Sequence, residues 1–410
     1  MDDLHVGELR EQGNLWALDY DDGWRKTGFD LSPGLPRAEG TVADGASHRP
    51  VQWFFDNLLP EEGERMLVAR DAGIDAADAF GLLQRFGPES AGALTLLPPG
   101  EGLPPAELRP LPDDVLSARI RTLPRVPLTH DAPKRMSLAG AQHKLAVVVH
   151  QERLWEPVGR AASTHLLKPD HPRSDDYAHS AVNEWFCMRL AGLCGLPVPP
   201  VALRRVPEPV YLIRRFDRRG EGSTAKRLHA LDACQLLSID RVFKYSQATP
   251  ASLSALVTQC RRPALTRISL LRWQFFNFLI GNGDAHLKNL SFLLDHYGMQ
   301  LAPHYDILST NVYLAPGWDA AELTFAMGGK RRFGEVARAD ALAFGSELGI
   351  PKQVAARHLD RLCADASKHA AELLDACLQD AALGIGAGEA RLLRHIVHGP
   401  LADALRAMRA

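Results

Sequence analysis

The sequence predicts an α+β chain with a small strand-rich lobe and a larger helical lobe, preceded by a small α/β domain. Three observations carry that expectation. Short β-branched and aliphatic runs cluster between residues 134 and 217 around a single helical stretch. From about residue 226 onward helical apolar spacing dominates. Nine of the 28 prolines fall within 98–133, as in "LPPGEGLPPAELRPLP", and mark a junction ahead of the strand-rich part. The expected division is 1–110, 111–220 and 221–410.

In the first part, "GNLWALDYD" reads as a strand between turn signals. "VQWFFDNLLPEEGERMLVARDAG" has helical spacing broken by Pro60. "DAADAFGLLQRFG" reads as a second helix with Gly87 near its end. A weaker helix sits at about 113–122. The middle part supplies three strand candidates, "KLAVVVH", "THLLK" and "PVYLIRRF". Between the second and third lies "HSAVNEWFCMRLAGL", whose Val182, Trp185, Met188 and Leu190 fit one helix. The last part is helical, interrupted by one hairpin near 290–303, and residues 336–410 read as a helical cap.

Composition sets bounds. A chain of 410 residues suggests two or three domains with ample core. A net charge of −2 offers no bulk attraction to a polyanion, so DNA contact would run through a partner. No apolar run approaches the roughly 18 residues of a membrane span. "MDDLHVGELR" is acidic where a signal peptide is basic. Cys187, Cys194, Cys234, Cys260, Cys363 and Cys377 form no CxxC pair, which argues against zinc and a dithiol centre. They read as reduced, mostly buried thiols of a cytoplasmic protein.

The chemistry concentrates in "GNGDAHLKN", residues 281–289. It follows "TRISLLRWQFFNFLI", apolar nearly all round and so expected to be buried. Gly281-Asn282-Gly283 stops that helix. Asn289 lies five residues after Asp284, the separation at which protein kinases place a catalytic-loop Asp and a magnesium-binding Asn. "LSFLLD", "HYG" and "MQLAP" then form a hairpin that returns the chain to Asp306, where a second carboxylate would complete a magnesium site. The plainer reading is a helix C-terminal loop with a capping Asp and a solvated Lys288. Helix, loop and hairpin together favour the chemical one.

Other candidates fit the same plan. Lys168 ends "STHLLK", where kinases keep a strand lysine for the α- and β-phosphates, and Glu184 on the following helix is placed to pair with it. "MSLAGAQHK" precedes the first strand of the lobe. No GxGxxG stands there; Ser137, Gly140 and Lys144 can bind phosphate with small residues, backbone N–H groups and a lysine, or form an ordinary loop. "GIGAGEA" near 384–390 has no strand before it and reads as an interhelical turn. Together these features are the plan of a two-lobed protein-kinase-like fold.

The chain resembles the HipA-like serine/threonine kinases, the toxin component of type II toxin–antitoxin modules. The blocks that carry the resemblance run in order: "FFDNLLPE", "SLAGAQHK", "STHLLKPD", "NEWFCMRLAGLCGLPVPP", "YLIRRFDR", "DACQLLSIDRVFKY", "NFLIGNGDAHLKNLSFLL" and "LAPHYDILS". The resemblance implies Asp284 as catalytic base, Asn289 and Asp306 as magnesium ligands, and Lys168 on the phosphates of ATP. It implies autophosphorylation of Ser137, which displaces its loop and switches the enzyme off. Lys144 matches a lysine of that loop, and His286 the family's catalytic-loop histidine. The segment with Arg214 and Phe216 is the expected hinge against adenine; Arg214 stands where the family often has Glu. The implied partner is a helix-turn-helix antitoxin dimer that carries the kinase to operator DNA. Aminoacyl-tRNA synthetases are among the family's substrates, and their phosphorylation produces dormancy. Two alternatives remain at this point: a small-molecule kinase, and a non-catalytic kinase fold serving as an antitoxin-binding corepressor.

Overall fold

The computed structural model describes residues 1, 4–314 and 317–409. Its N-terminal part opens with a hairpin. β1 (Gly7–Gln12) pairs antiparallel with β2 (Leu15–Tyr20) across Gly13 and Asn14, whose φ values of 59° and 62° give the primed turn that suits strand twist. β2 buries alternate residues Trp16, Leu18 and Tyr20. After α1 (Asp22–Thr27), β3 (Thr41–Ala43) joins the free edge of β2. The apolar run at 51–73 breaks around Pro60 as expected, into α2 (Pro50–Asp56) and α3 (Glu62–Ala72). α4 (Ala79–Phe86) ends at Gly87.

The middle of the chain forms one antiparallel six-stranded sheet, in the order β4-β6-β5-β7-β9-β8. Its elements are β4 (Glu107–Pro110), α5 (Asp113–Arg121), β5 (Leu145–His150), β6 (Arg153–Val158), β7 (His165–Pro169), α6 (Ser180–Leu193), β8 (Val201–Arg205) and β9 (Pro209–Arg214). β5, β7, β9 and α6 match the expected segments. β4, β6 and β8 are charged or proline-bearing strands at or near the edges, held by pairing more than by their own propensity. The sheet thus begins at Glu107, a little ahead of the division expected at 110/111.

The rest is mainly helical. A small ribbon, β10 (Arg218–Arg219) with β11 (Lys226–Arg227), leads to β12 (Ala230–Asp232) and α7 (Ala233–Leu236), which Asp232 and Gln235 cap reciprocally. α8 (Pro250–Gln259) and α9 (Pro263–Ile280) follow. The expected hairpin is β13 (Ser291–Asp295) and β14 (Gly298–Leu301), with β12 on its outer edge. A further hairpin, β15 (Glu322–Met327) and β16 (Lys330–Arg332), corrects the expectation of a single one. β15 buries Leu323, Thr324, Phe325 and Met327 and so shows no clean alternation. α10 (Arg338–Glu347), α11 (Lys352–Gln379), α12 (Ala387–His398) and α13 (Pro400–Arg409) form the cap. Residues 384–386 form the expected turn before α12.

One apolar core runs from β2 and α2 through α6 and α9 to α13, and a second lies around α5 and β5. α9 is buried almost throughout from Leu270 to Ile280. Gly281 ends it with φ 70°, and an added Cβ would stand 2.8 Å from Asn311 Cβ and 2.9 Å from Pro400 Cβ. Gly281→Ala should therefore cost stability through both strain and overlap, about 1–3 kcal/mol. Urea unfolding checks this; an unchanged midpoint would refute it. No described helix is long and apolar enough to cross a membrane. All six cysteines are free, and all but Cys363 are buried.

Candidate active site between the lobes

A cavity of about 600 Å³ opens where the six-stranded sheet meets the helical lobe. That is within the ordinary size range of small-ligand sites. Its wall contains Lys168, Glu184, Asp284, His286, Asn289 and Asp306, which come from four separate stretches of the chain.

Lys168 lies on β7, opposite Tyr211 of β9. Its Nζ donates to both carboxylate oxygens of Glu184, at 2.8 and 3.0 Å, and to Asp306 Oδ1 at 2.7 Å. The expected Lys–Glu pair is therefore formed, and Asp306 joins it. Burial works against the Lys168 charge, but Asp306 and then Glu184 outweigh it and raise the pKa above the ordinary lysine value. The same lysine holds the Asp306 carboxyl below its ordinary value despite burial.

The loop after α9 is rigid because its polar groups are spoken for. Asn282 donates to Asn277 Oδ1 at 2.9 Å and accepts from the Asp284 N–H at 3.1 Å. Thr324 of β15 donates to the Gly283 carbonyl at 2.6 Å, and the Gly283 N–H donates to Thr310 Oγ1 at 2.8 Å. Asn289 Nδ2 donates to the Asp284 carbonyl at 2.9 Å, which leaves the amide oxygen of Asn289 for another partner. Burial pushes the Asp284 carboxyl up to about 6; a Tyr245 hydrogen bond opposes that shift and the charge of Asp306 adds to it. Asp306 has φ 58°, a left-handed value that a non-glycine residue rarely takes.

Lys288 is not solvated. It is buried and donates to Asp232 Oδ2 at 2.7 Å and to the Asn57 carbonyl and side-chain oxygens at 2.9 and 2.8 Å. It thus ties the loop to the N-terminal part of the chain. His286 is also buried, its Nδ1 lacks a partner, and burial followed by Lys244 lowers its pKa to about 4, so its ring is neutral at pH 7.

The donor set fits a hard cation. Asn289 Oδ1 and the carboxylate of Asp306 offer the oxygen donors that magnesium prefers, and its usual shell is one or two carboxylates with phosphate oxygens and waters. Among the described residues no cluster of three His, Cys, Asp or Glu forms a dedicated metal cage.

The 136–144 loop is split. Gly140 and Lys144 line the cavity, and Gly140 has φ 101° with Lys144 Nζ 2.8 Å from where its Cβ would be. Lys144 donates to the Ala139 carbonyl at 2.5 Å, and burial followed by Lys168 lowers its pKa to about 8. Ser137 is outside the wall and fully buried. Its hydroxyl donates to the Leu58 carbonyl at 2.7 Å and its N–H to the Glu89 carbonyl at 2.6 Å. The Glu61 N–H donates to the Gly140 carbonyl at 3.2 Å, and Glu64 pairs with His143. The N-terminal part thus clasps this loop.

At the end of β9, Arg214 and Phe216 both line the cavity. Arg214 reaches the Gly220 carbonyl at 3.5 Å, and Phe216 stacks on Tyr305 with ring centroids 5.4 Å apart. Next to them, Glu89 is a buried ionic hub. Its carboxylate meets Arg227 at 2.7 Å, Lys134 at 2.9 Å, Arg218 at 3.0 Å and Arg215 at 3.4 Å.

Sequence reasoning missed Tyr245, Lys244, Glu61 and Glu89. Tyr245 donates to Asp284 Oδ1 at 2.6 Å, from 39 residues away in the chain. Lys244 meets Glu61 Oε2 at 2.6 Å. No local spacing announces such contacts; the available signal was that Glu61 ends one block shared with the family and Lys244 and Tyr245 end another.

A strand lysine paired to a helical glutamate, facing an Asp–Asn loop across an interlobe cavity, defines a protein-kinase-like fold. A family model described as the HipA-like C-terminal domain matches residues 136–370, and one described as the HipA N-terminal domain matches residues 1–97. The chain belongs to the HipA family. The putative kinase Y4mE of Sinorhizobium fredii is 34% identical over 375 residues, covering 87% of this chain and 86% of that one. The serine/threonine-protein kinase toxin HipA of Shewanella oneidensis is 30% identical over 395 residues, covering 91% and 88%. A chain in the solved complex of the Shewanella oneidensis HipA–HipB toxin–antitoxin system with its operator DNA matches with a TM-score of 0.84 at 28% identity, covering 98% of this chain and 95% of that one.

Proposed function

We propose that the chain is an ATP- and magnesium-dependent protein serine/threonine kinase and the toxin of a type II toxin–antitoxin module. The observation that carries this reading is the Lys168–Glu184–Asp306 ion chain, with links of 2.7–3.0 Å, sharing one cavity wall with Asp284 and Asn289. Lys168 contacts the α- and β-phosphates of ATP, and Glu184 holds it there. Asn289 and Asp306 would hold magnesium, which neutralises phosphate charge when bound. Asp284 takes the proton of the attacking hydroxyl as its oxygen bonds to the γ-phosphorus and the bond to the departing ADP breaks. The transition state is loose, so orientation and charge placement supply most of the rate. The Arg214–Phe216 segment receives the adenine, largely through backbone groups.

Label from ATP should appear on protein in the presence of magnesium. Transfer confined to a small amine or sugar would overturn the protein-kinase reading. Phosphoproteomics with wild type and Asp284→Asn side by side would name the target, for which a translation-related protein such as an aminoacyl-tRNA synthetase is the proposed class. The proposed partner is a helix-turn-helix antitoxin dimer, with operator DNA reached through it.

Ser137 is the proposed autophosphorylation site. In its buried position the hydroxyl is already committed to Leu58. The loop must therefore open before the hydroxyl can meet ATP, and a phosphate with close to two negative charges then keeps it from returning to a buried place without a partner. Incubation with ATP and magnesium should add one phosphate at Ser137 and raise amide exchange over 136–144. A phosphorylated protein whose loop stays as protected as before would refute the expulsion.

A further inference from the structure

Tyr245 is the one side chain among the described residues that hydrogen-bonds to the Asp284 carboxylate. Its hydroxyl donates to Oδ1 at 2.6 Å, and no described residue hydrogen-bonds to Oδ2. The ring is held from two sides. Its edge meets His286 with centroids 5.0 Å apart at 81°, and Lys244 Nζ lies 5.1 Å from its centroid. Lys244 is in turn fixed by Glu61 Oε2 at 2.6 Å and Glu62 Oε1 at 3.3 Å, and its carbonyl accepts from the Leu287 N–H at 3.3 Å. Asp240 caps the short turn before it, accepting from the Val242 N–H at 3.0 Å. A half-exposed tyrosine would ordinarily turn its hydroxyl to water. Here the ring has little freedom to leave.

We propose that Tyr245 is a positioning residue for phosphoryl transfer: it pins one oxygen of Asp284 so that the other faces the attacking hydroxyl, and Lys244 carries the grip of Glu61 and Glu62 to it. The inference rests on Asp284 being the base. A carboxylate has lone pairs for both hydrogen bonds, so the tyrosine and a substrate hydroxyl can be accommodated together. A rotating carboxylate would lose alignment with the oxygen whose proton it removes, and small misplacements are costly in such steps. The Lys244 link also connects the N-terminal part of the chain to Asp284 through Tyr245.

The test is Tyr245→Phe, which keeps the ring contacts with His286 and Lys244 and deletes only the hydroxyl. ADP formation from labelled ATP with magnesium is measured in the full chain. The expected result is a kcat lower by about 10-fold, part of what a positioned general base supplies. KM for ATP and the thermal midpoint should match wild type. In the Asp284→Asn background the same substitution should have no further effect, because the hydroxyl acts through that carboxylate. An unchanged or raised kcat would overturn the proposal, a raised one marking Tyr245 as a plug. A loss that multiplies in full with that of Asp284→Asn, or that comes with a lowered midpoint, would overturn it as well. Equal ADP formation by wild type and Asp284→Asn would instead remove the base, and this inference with it.

Discussion

Asp284→Asn should all but abolish phosphoryl transfer while ATP still binds. The substitution keeps size and leaves the backbone contacts of the loop in place: the Asp284 N–H still donates to Asn282 and its carbonyl still accepts from Asn289. What goes is the group that accepts a proton. General-base assistance contributes roughly 10²–10⁴-fold, so the residual rate should fall by at least that order. In the proposed reading ATP is held chiefly by Lys168 and the Arg214–Phe216 segment, so calorimetry should give a dissociation constant near that of wild type. Wild-type transfer by the variant, measured with labelled ATP, would sink the role assigned to Asp284. A loss of binding together with transfer would show instead that the carboxylate organises the nucleotide site.

The second large effect is on stability. Glu89→Gln should destabilise the protein by about 3–5 kcal/mol, the usual cost of removing one partner from a buried ionic group. Glu89 is fully buried, and Lys134, Arg215, Arg218 and Arg227 converge on it. The other carboxylate of the cluster is Asp217, already bound to Arg215 at 2.7 Å and Arg218 at 2.9 Å. A neutral amide would leave these cations without enough opposite charge in a place that water cannot reach. Burial alone would raise the Glu89 pKa; Lys134 first, then Arg218, Arg227 and Arg215, hold it well below the carboxylate range. Its stabilisation is therefore complete above the unfolded-state pKa and is lost only as pH falls through the depressed folded value. Denaturant midpoints for the two proteins at neutral pH check the prediction. Equal midpoints would mean that the cations are compensated by something other than Glu89. Because Arg215 and Asp217 also line the interlobe cavity proposed to take ATP, the variant should bind ATP more weakly at temperatures where it remains folded.

Much of this architecture is legible from local pattern. α6 and α9 announce themselves by helical apolar spacing, β5 and β9 by β-branched and aliphatic runs, and the end of α9 by the Gly-Asn-Gly stop. Asp284 and Asn289 could be picked out because their separation is short and lies in one loop. Asp306 could be found because a tight hairpin is itself a local signal, although the turn is His296-Tyr297 and Gly298 already belongs to β14. β4, β6 and β8 were missed for the opposite reason: their charges and prolines carry no alternation, and pairing with distant strands holds them in place. The partners of Lys288 were not legible, because nothing nearby in the chain shows that Asn57 and Asp232 will close over it.

Residue spacing was enough to give the order of the lobes, the acidic and amide groups of the loop, and the lysine and glutamate that meet across β7 and α6. Helix and strand periods repeat within a few residues, so a linear text records them. The clasp on Ser137, the four cations around Glu89 and the tyrosine on Asp284 came from the folded chain alone. Each joins residues dozens to more than a hundred positions apart, and a buried charge or hydroxyl finds its partner only after the core has brought both out of water.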